Sequence, residues 1–118
     1  MNNRILIIDD EKDFCELIKQ MLMRENYLVD CAFTLKEASD KLSQHPDIVL
    51  LDNNLPDGLG IDYLRMHPTD FMDCAIIMIS ADTSDWLRMN AVQEGVVEFI
   101  EKPFSAMRIK ETLKRVAN

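Results

Sequence analysis

Apolar positions along this chain fall into two alternating rhythms. Short runs, Ile5-Leu6-Ile7-Ile8, Ile48-Val49-Leu50-Leu51 and Ile76-Ile77-Met78-Ile79, are separated by longer stretches in which apolar residues recur every three to four positions. A strand buried on both faces of a parallel sheet reads as a continuous apolar run, and a period of 3.6 belongs to a helix laid against that sheet. The alternation predicts strands at Arg4 to Ile8, Tyr27 to Ala32, Asp47 to Leu51, Ala75 to Ile79 and Val96 to Ile100, each followed by a helix. The expected class is α/β, with (βα) repeated five times.

The helices carry their own punctuation. The first places Phe14, Leu17, Ile18, Met21 and Leu22 on one apolar stripe. Thr34 and Glu37 stand in capping-box spacing at the start of the second, which then presents Leu35, Ala38 and Leu42. The third is expected to be short, because it begins near Gly60 and must stop before Pro68. Asp82-Thr83-Ser84 precedes the fourth, and Gly95 ends it as a residue able to adopt positive φ. Ser105, after Pro103, caps the fifth, with Ile109, Leu113 and Val116 on one stripe.

Strand composition predicts sheet order. The first, third and fourth strands are wholly apolar, whereas Tyr27-Leu28-Val29-Asp30-Cys31 and Val97-Glu98-Phe99-Ile100-Glu101 include charges, as edge strands can. With right-handed crossovers, the five-stranded doubly wound, flavodoxin-like order 2-1-3-4-5 satisfies this, and its switch point lies between strands 1 and 3. Asp9 and Asp10 follow the first strand and Asp52 the third, so three carboxylates meet in that crevice. All-oxygen donors suit Mg²⁺, or Mn²⁺, better than zinc. Ser80 and Lys102 end the fourth and fifth strands. A hydroxyl, an ammonium and a cation held by carboxylates form a site for a phosphoryl group, and an Asp carboxylate can itself be the nucleophile.

Charge and composition narrow the remaining classes. A formal charge of −8 argues against direct binding to nucleic acid or to an anionic membrane. The start Met1-Asn2-Asn3-Arg4 runs straight into a four-residue apolar run, too short for a signal peptide, so a cytoplasmic location is expected. Cys15, Cys31 and Cys74 are odd in number and widely spaced, which predicts reduced core thiols. His45 and His67 each precede a proline and are read as surface residues, and Trp86 and Met89 as ordinary packing residues, with exposed partner contacts as the alternative. Gly58, Gly60 and Gly95 are the only glycines, so no glycine-rich phosphate loop can be written.

Taken together, Asp9-Asp10-Glu11, Asp52 followed by Leu55-Pro56-Asp57-Gly58, Ser80-Ala81 and Lys102-Pro103-Phe104 resemble the receiver domain of bacterial two-component response regulators, in the chemotaxis-regulator-like superfamily. The resemblance spans residues 1–118 as one receiver domain. It implies that Asp52 accepts a phosphoryl group from a sensor histidine kinase, a phosphotransfer protein or a small phosphodonor. It implies that Asp9, Asp10, Asp52 and the backbone carbonyl of Asn54 hold Mg²⁺, and that the Lys102-Pro103 peptide is cis. The implied switch couples capture of the phosphoryl group by Ser80 and Lys102 to inward rotation of Phe99, changing the surface formed by the fourth helix, fifth strand and fifth helix.

On this resemblance the chain is a regulatory phosphoacceptor rather than an enzyme, with at most self-phosphorylation and slow autodephosphorylation. Such regulators often continue into an output domain or act as homodimers. Ser80 stands where threonine is commoner, Phe99 where tyrosine is the alternative, and Asn53 where an apolar residue often follows the acceptor. Two other readings remain open on the sequence. A degenerate receiver would serve only as a protein-binding module, and an aspartyl-phosphate phosphatase of the haloacid-dehalogenase kind would turn over. The latter class puts its nucleophile after the first strand with a second Asp two residues on, whereas here the candidate follows the third strand and position 54 is Asn.

Overall fold

The computed structural model describes residues 3–117; Met1, Asn2 and Asn118, the ends of the expected 1–118 span, lie outside them. In chain order the elements are β1 (Arg4–Ile8), α1 (Lys12–Met23), β2 (Leu28–Ala32), α2 (Leu35–Leu42), β3 (Ile48–Asp52), two-residue strands β4 (Asn54–Leu55) and β5 (Gly58–Leu59), α3 (Gly60–Met66), β6 (Ala75–Ser80), α4 (Asp85–Gln93), β7 (Val96–Glu101) and α5 (Ala106–Ala117). Five strands form a parallel sheet in the order β2-β1-β3-β6-β7. With the small β4-β5 hairpin set aside, this is the order 2-1-3-4-5 expected from strand composition.

The pleat of the strands divides the core. Leu6 and Ile8 of β1, Val49 and Leu51 of β3, and Ile76 and Met78 of β6 face one way, onto Leu35, Ala38 and Leu42 of α2, Ile61 and Leu64 of α3, and Leu87 and Ala91 of α4. The intervening residues Ile5, Ile7, Ile48, Leu50, Ile77 and Ile79 face the other way, onto Cys15, Ile18 and Leu22 of α1 and Ile109 and Leu113 of α5. Central strands are apolar on both faces because helices cover both.

Two details depart from the sequence reading. In α1 the buried stripe is Cys15, Ile18 and Leu22, while Leu17 is 66% exposed and Phe14 and Met21 are half-buried. The stripe is rotated by about one residue because Cys15, a small buried thiol, takes a core position that a purely aliphatic count passes over. In α4 the contact with the sheet is made by Leu87 and Ala91, one turn apart, so Trp86 (58% exposed) and Met89 (63% exposed) stand in solvent rather than in ordinary packing.

Several boundaries move by one residue. β3 runs to Asp52, β6 to Ser80 and β7 to Glu101, so Asp52 and Ser80 belong to the strands themselves. The segment after α3 closes as a single 3-10 turn, Pro68–Phe71, which buries Phe71. At the sheet edge, β7 carries a bulge: Ile76 faces Val96 and Ile77 faces Glu98, leaving Val97 unpaired and exposed. Cys15, Cys31 and Cys74 are free thiols, and His45 and His67 are exposed.

Candidate functional site

At the carboxyl ends of β1 and β3, Asp9, Asp10 and Asp52 each offer a carboxylate oxygen, all within 4.8 Å of one another. Asp9 is fully buried and Asp52 is 3% exposed, while Asp10 stands in solvent. Parallel neighbours end level with each other, so the strand register itself brings the two buried carboxylates together. Lys102, at the end of β7, reaches across: its ammonium donates to Asp9 Oδ2 at 3.1 Å, Asp52 Oδ2 at 3.3 Å and Glu11 Oε1 at 3.3 Å.

Electrostatics here are unbalanced. Burial pushes the Asp9 carboxyl above its ordinary pKa, against the opposing pull of the Glu11 N–H and the Lys102 ammonium. Burial and the Asp9 charge together push Asp52 up to about 6, although the Asn54 N–H and Lys102 favour its ionised form. Burial works against the Lys102 charge, yet the carboxylates of Asp52 and Asp9 more than offset it and hold the ammonium above its usual range. One ammonium is shared among more carboxylates than it can neutralise. The donor set is all oxygen, compact and partly open through Asp10, which fits a hard divalent cation.

The backbone orients these groups. Asp9 Oδ1 accepts from the Glu11 N–H at 2.9 Å, and the Cys15 thiol donates to the Asp9 carbonyl at 3.3 Å. Asp52 Oδ1 accepts from the Asn54 N–H at 3.2 Å. Gly60, the first residue of α3, approaches so closely that a Cβ there would lie 2.6 Å from the Asp52 carbonyl oxygen. Asn53 is buried, and its Oδ1 accepts from the Ile61 N–H at 3.0 Å, supplying the cap that Leu59, at the N-cap position, cannot.

Ser80 is fully buried beside the trio, and its hydroxyl oxygen accepts from the Asp82 N–H at 3.0 Å. Its carbonyl accepts from the Lys102 N–H at 2.8 Å, tying the ends of β6 and β7 together. Lys102-Pro103 is a cis peptide. Phe99 is half-buried against the α4 side of the core, with the Arg88 guanidinium 4.5 Å from its ring centroid and paired to Glu101. A cleft of about 400 Å³ opens beside Lys102, lined by Glu11, Phe14, Ala81, Lys102, Pro103 and Phe104. Another of about 310 Å³ lies at the opposite ends of β1 and β2, around Arg4, Leu28 and Lys41, away from this chemistry.

Sequence reasoning misses three contributors. Glu11 stands within a motif but without a role of its own, and it is the third carboxylate on Lys102. Asn53, legible only as a departure, caps α3 from a distance. Asp57 accepts from the Leu35 and Lys36 N–H groups of α2 at 2.9 and 3.0 Å. Glu11 and Asp57 each lie in a motif that the sequence offers, Asp9-Asp10-Glu11 and Leu55-Pro56-Asp57-Gly58, but their partners, Lys102 and the start of α2, do not show there.

Residues 5–114 match the family model described as the response regulator receiver domain. Among solved structures, the chain is 33% identical to the non-phosphorylated HemR receiver domain from Leptospira biflexa, with TM-score 0.88, covering 97% of this chain and 93% of that one. It is 30% identical to the signal receiver domain of a putative LuxO repressor protein from Vibrio parahaemolyticus, with TM-score 0.88 and coverage of 99% and 94%. It is 32% identical to the beryllofluoride-activated NtrC4 receiver domain dimer, with TM-score 0.86 and coverage of 96% and 94%.

Proposed function

The chain belongs to the response regulator receiver domain family, and from that premise we propose that Asp52 is the residue its phosphoacceptor role depends on. The donor is a histidine kinase, a phosphotransfer protein or a small phosphodonor. An Asp52 carboxylate oxygen attacks phosphorus, the O–P bond forms, and the donor leaves with the electron pair of its broken bond to phosphorus. Asp9, Asp10, Asp52 and the Asn54 carbonyl hold Mg²⁺, with Mn²⁺ as a substitute. The ion, when bound, neutralises carboxylates and phosphoryl oxygens that Lys102 alone cannot balance.

One observation carries this reading: three carboxylate oxygens converge within 4.8 Å beside an ammonium that reaches the buried two. Lys102 already contacts Asp52 and is placed to follow the charge onto a phosphoryl group there. Ser80 accepts from the Asp82 N–H through its oxygen and donates to no group among the described residues, so its hydroxyl can turn to donate to a phosphoryl oxygen. Phosphorylation replaces the single carboxylate charge of Asp52 with a phosphoryl group of about two negative charges and three acceptor oxygens, drawing Ser80 toward it and opening space for Phe99 to turn inward. The face of α4, β7 and α5 changes with it and presents the signal to an output domain or a second copy.

Incubating the chain with Mg²⁺ and a small phosphodonor is expected to add one base-labile phosphoryl group per chain, measured by intact mass. Asp52→Asn abolishes it. Rapid sustained phosphate release with no phosphorylated chain accumulating would instead make the chain a hydrolase, and neither uptake nor turnover would leave a binding module.

A further inference from the structure

Immediately after Asp52 the chain folds into a small hairpin in which Asn54 pairs with Leu59 and Leu55 with Gly58, leaving Pro56-Asp57 at the tip. That tip is anchored outside the hairpin. Asp57 Oδ1 accepts from the Leu35 N–H at 2.9 Å and Oδ2 from the Lys36 N–H at 3.0 Å, while Thr34 Oγ1 takes the Glu37 N–H at 3.0 Å. The first turn of α2 is thus closed by one residue of its own and by one carboxylate from the acceptor loop.

Only a two-oxygen acceptor can take two adjacent N–H groups in this way, and the carboxylate also meets the positive end of the helix dipole. There is little slack at the contact. Gly58 has φ +152°, and a Cβ there would lie 3.2 Å from Leu35 Cδ1, so the loop lies directly against α2. From the tip, two backbone pairs lead back to Asn54, whose N–H holds Asp52 Oδ1 at 3.2 Å.

We propose that Asp57 is a positioning residue for the phosphorylation site: by clamping the hairpin tip to α2 it fixes the Asn54 peptide, and through it the orientation of the Asp52 carboxylate and the carbonyl that serves as a metal ligand. This rests on the reading of Asp52 and Asn54 given above, and it adds α2 to the elements that build the site. The two amide N–H groups hold the Asp57 carboxyl below its ordinary pKa, so the clamp is ionised at neutral pH.

The test compares the whole chain with Asp57→Ala, Asp57→Asn and Thr34→Ala, the last weakening the same helix terminus without touching the loop. Two quantities are measured: the Mg²⁺ dissociation constant by titration calorimetry, and the exchange rate of the Asn54 amide by NMR in metal-free protein. Asp57→Ala is expected to raise the dissociation constant about tenfold, as loss of a group that orients a ligand does. It is also expected to speed Asn54 exchange about tenfold. Asp57→Asn, which keeps one acceptor oxygen but sets a donor NH2 against the second N–H, is expected to fall between Asp57→Ala and wild type in both, and Thr34→Ala lowers the melting temperature while leaving both unchanged.

Unchanged Asn54 exchange in Asp57→Ala, or equal weakening by Thr34→Ala, overturns the clamp whatever the metal does. Wild-type chain that takes up no Mg²⁺ overturns the metal reading and the metal half of this proposal, while the exchange measurement still decides the clamp.

Discussion

The rim of the sheet and the outer face of α4 each break the usual partition of side chains, in opposite senses. At the rim, Asp9, Asp52 and Ser80 are charged or polar and nearly inaccessible. On the face, Trp86, Met89 and Val92 are large, apolar and bathed in water. The rim accepts its electrostatic cost through a dense set of hydrogen bonds, and no buried side-chain nitrogen or oxygen lacks a partner among the described residues. Nothing comparable offsets the exposed side chains of α4. A rim that is satisfied internally but over-charged suits a divalent cation, whereas the exposed apolar face offers a cation nothing.

The sharpest way to break this contrast is to remove the cation the rim already has. Lys102→Ala leaves Asp9 and Asp52 buried without their ammonium, and is expected to cost about 3 kcal/mol in metal-free protein. Chemical denaturation in chelator measures it; a loss as small as that of a surface lysine would mean the rim is wetter than its burial shows.

Acid titration sharpens the same point. Because folding raises the Asp52 pKa from 3.8 to about 6, the folded state binds its proton more tightly than the unfolded state does. Stability in chelator is therefore expected to fall as pH rises from about 4 to 7, by up to about 3 kcal/mol. Subtracting the profile of Asp52→Asn isolates this contribution, and saturating Mg²⁺ flattens it. A slope of the other sign would place Asp52 in a stabilising pair instead.

Asp10→Asn probes the open side of the trio. Relieving repulsion at an exposed carboxylate is expected to raise metal-free stability by about 0.5 kcal/mol while weakening Mg²⁺ binding. A variant less stable both with and without Mg²⁺ would count against a shared charge cluster. Smallest of all is the face: Met89→Gln is expected to change stability by no more than about 0.5 kcal/mol and to leave phosphorylation of Asp52 unaffected.

The rim is far more legible in the sequence than the face. Runs such as Ile48 to Leu51, set between stretches of helical period, read as strands covered on both sides, and the residue after each emerges at the carboxyl edge, so Asp9, Asp10, Asp52 and Ser80 can be gathered by counting, while Lys102 follows a mixed edge strand and joins them through the sheet order. Helical faces are set by a rotation that one small buried residue shifts, which is how Cys15 displaces Leu17 from the α1 stripe. The contacts made by the loop after Asp52 are silent for another reason. Asn53 and Asp57 cap helices 8 and 22 positions away, and contacts between irregular segments leave no period to detect.

Trp86 gives the molecule a means of observation that needs no label. It is the only tryptophan in the chain, and its indole stands in water on α4, the helix whose Arg88 lies over Phe99. An indole in water emits at long wavelength and shifts to the blue when water is removed. Intrinsic fluorescence therefore reads occupancy of this face directly, while events at the rim register when they are carried to α4, for which the hydrogen bonds from Ser80 through Asp82 to Ser84 offer a short route. Comparing emission before and after phosphorylation, at concentrations where the chain stays monomeric, separates a signal that travels within one molecule from one that arises when a second molecule arrives.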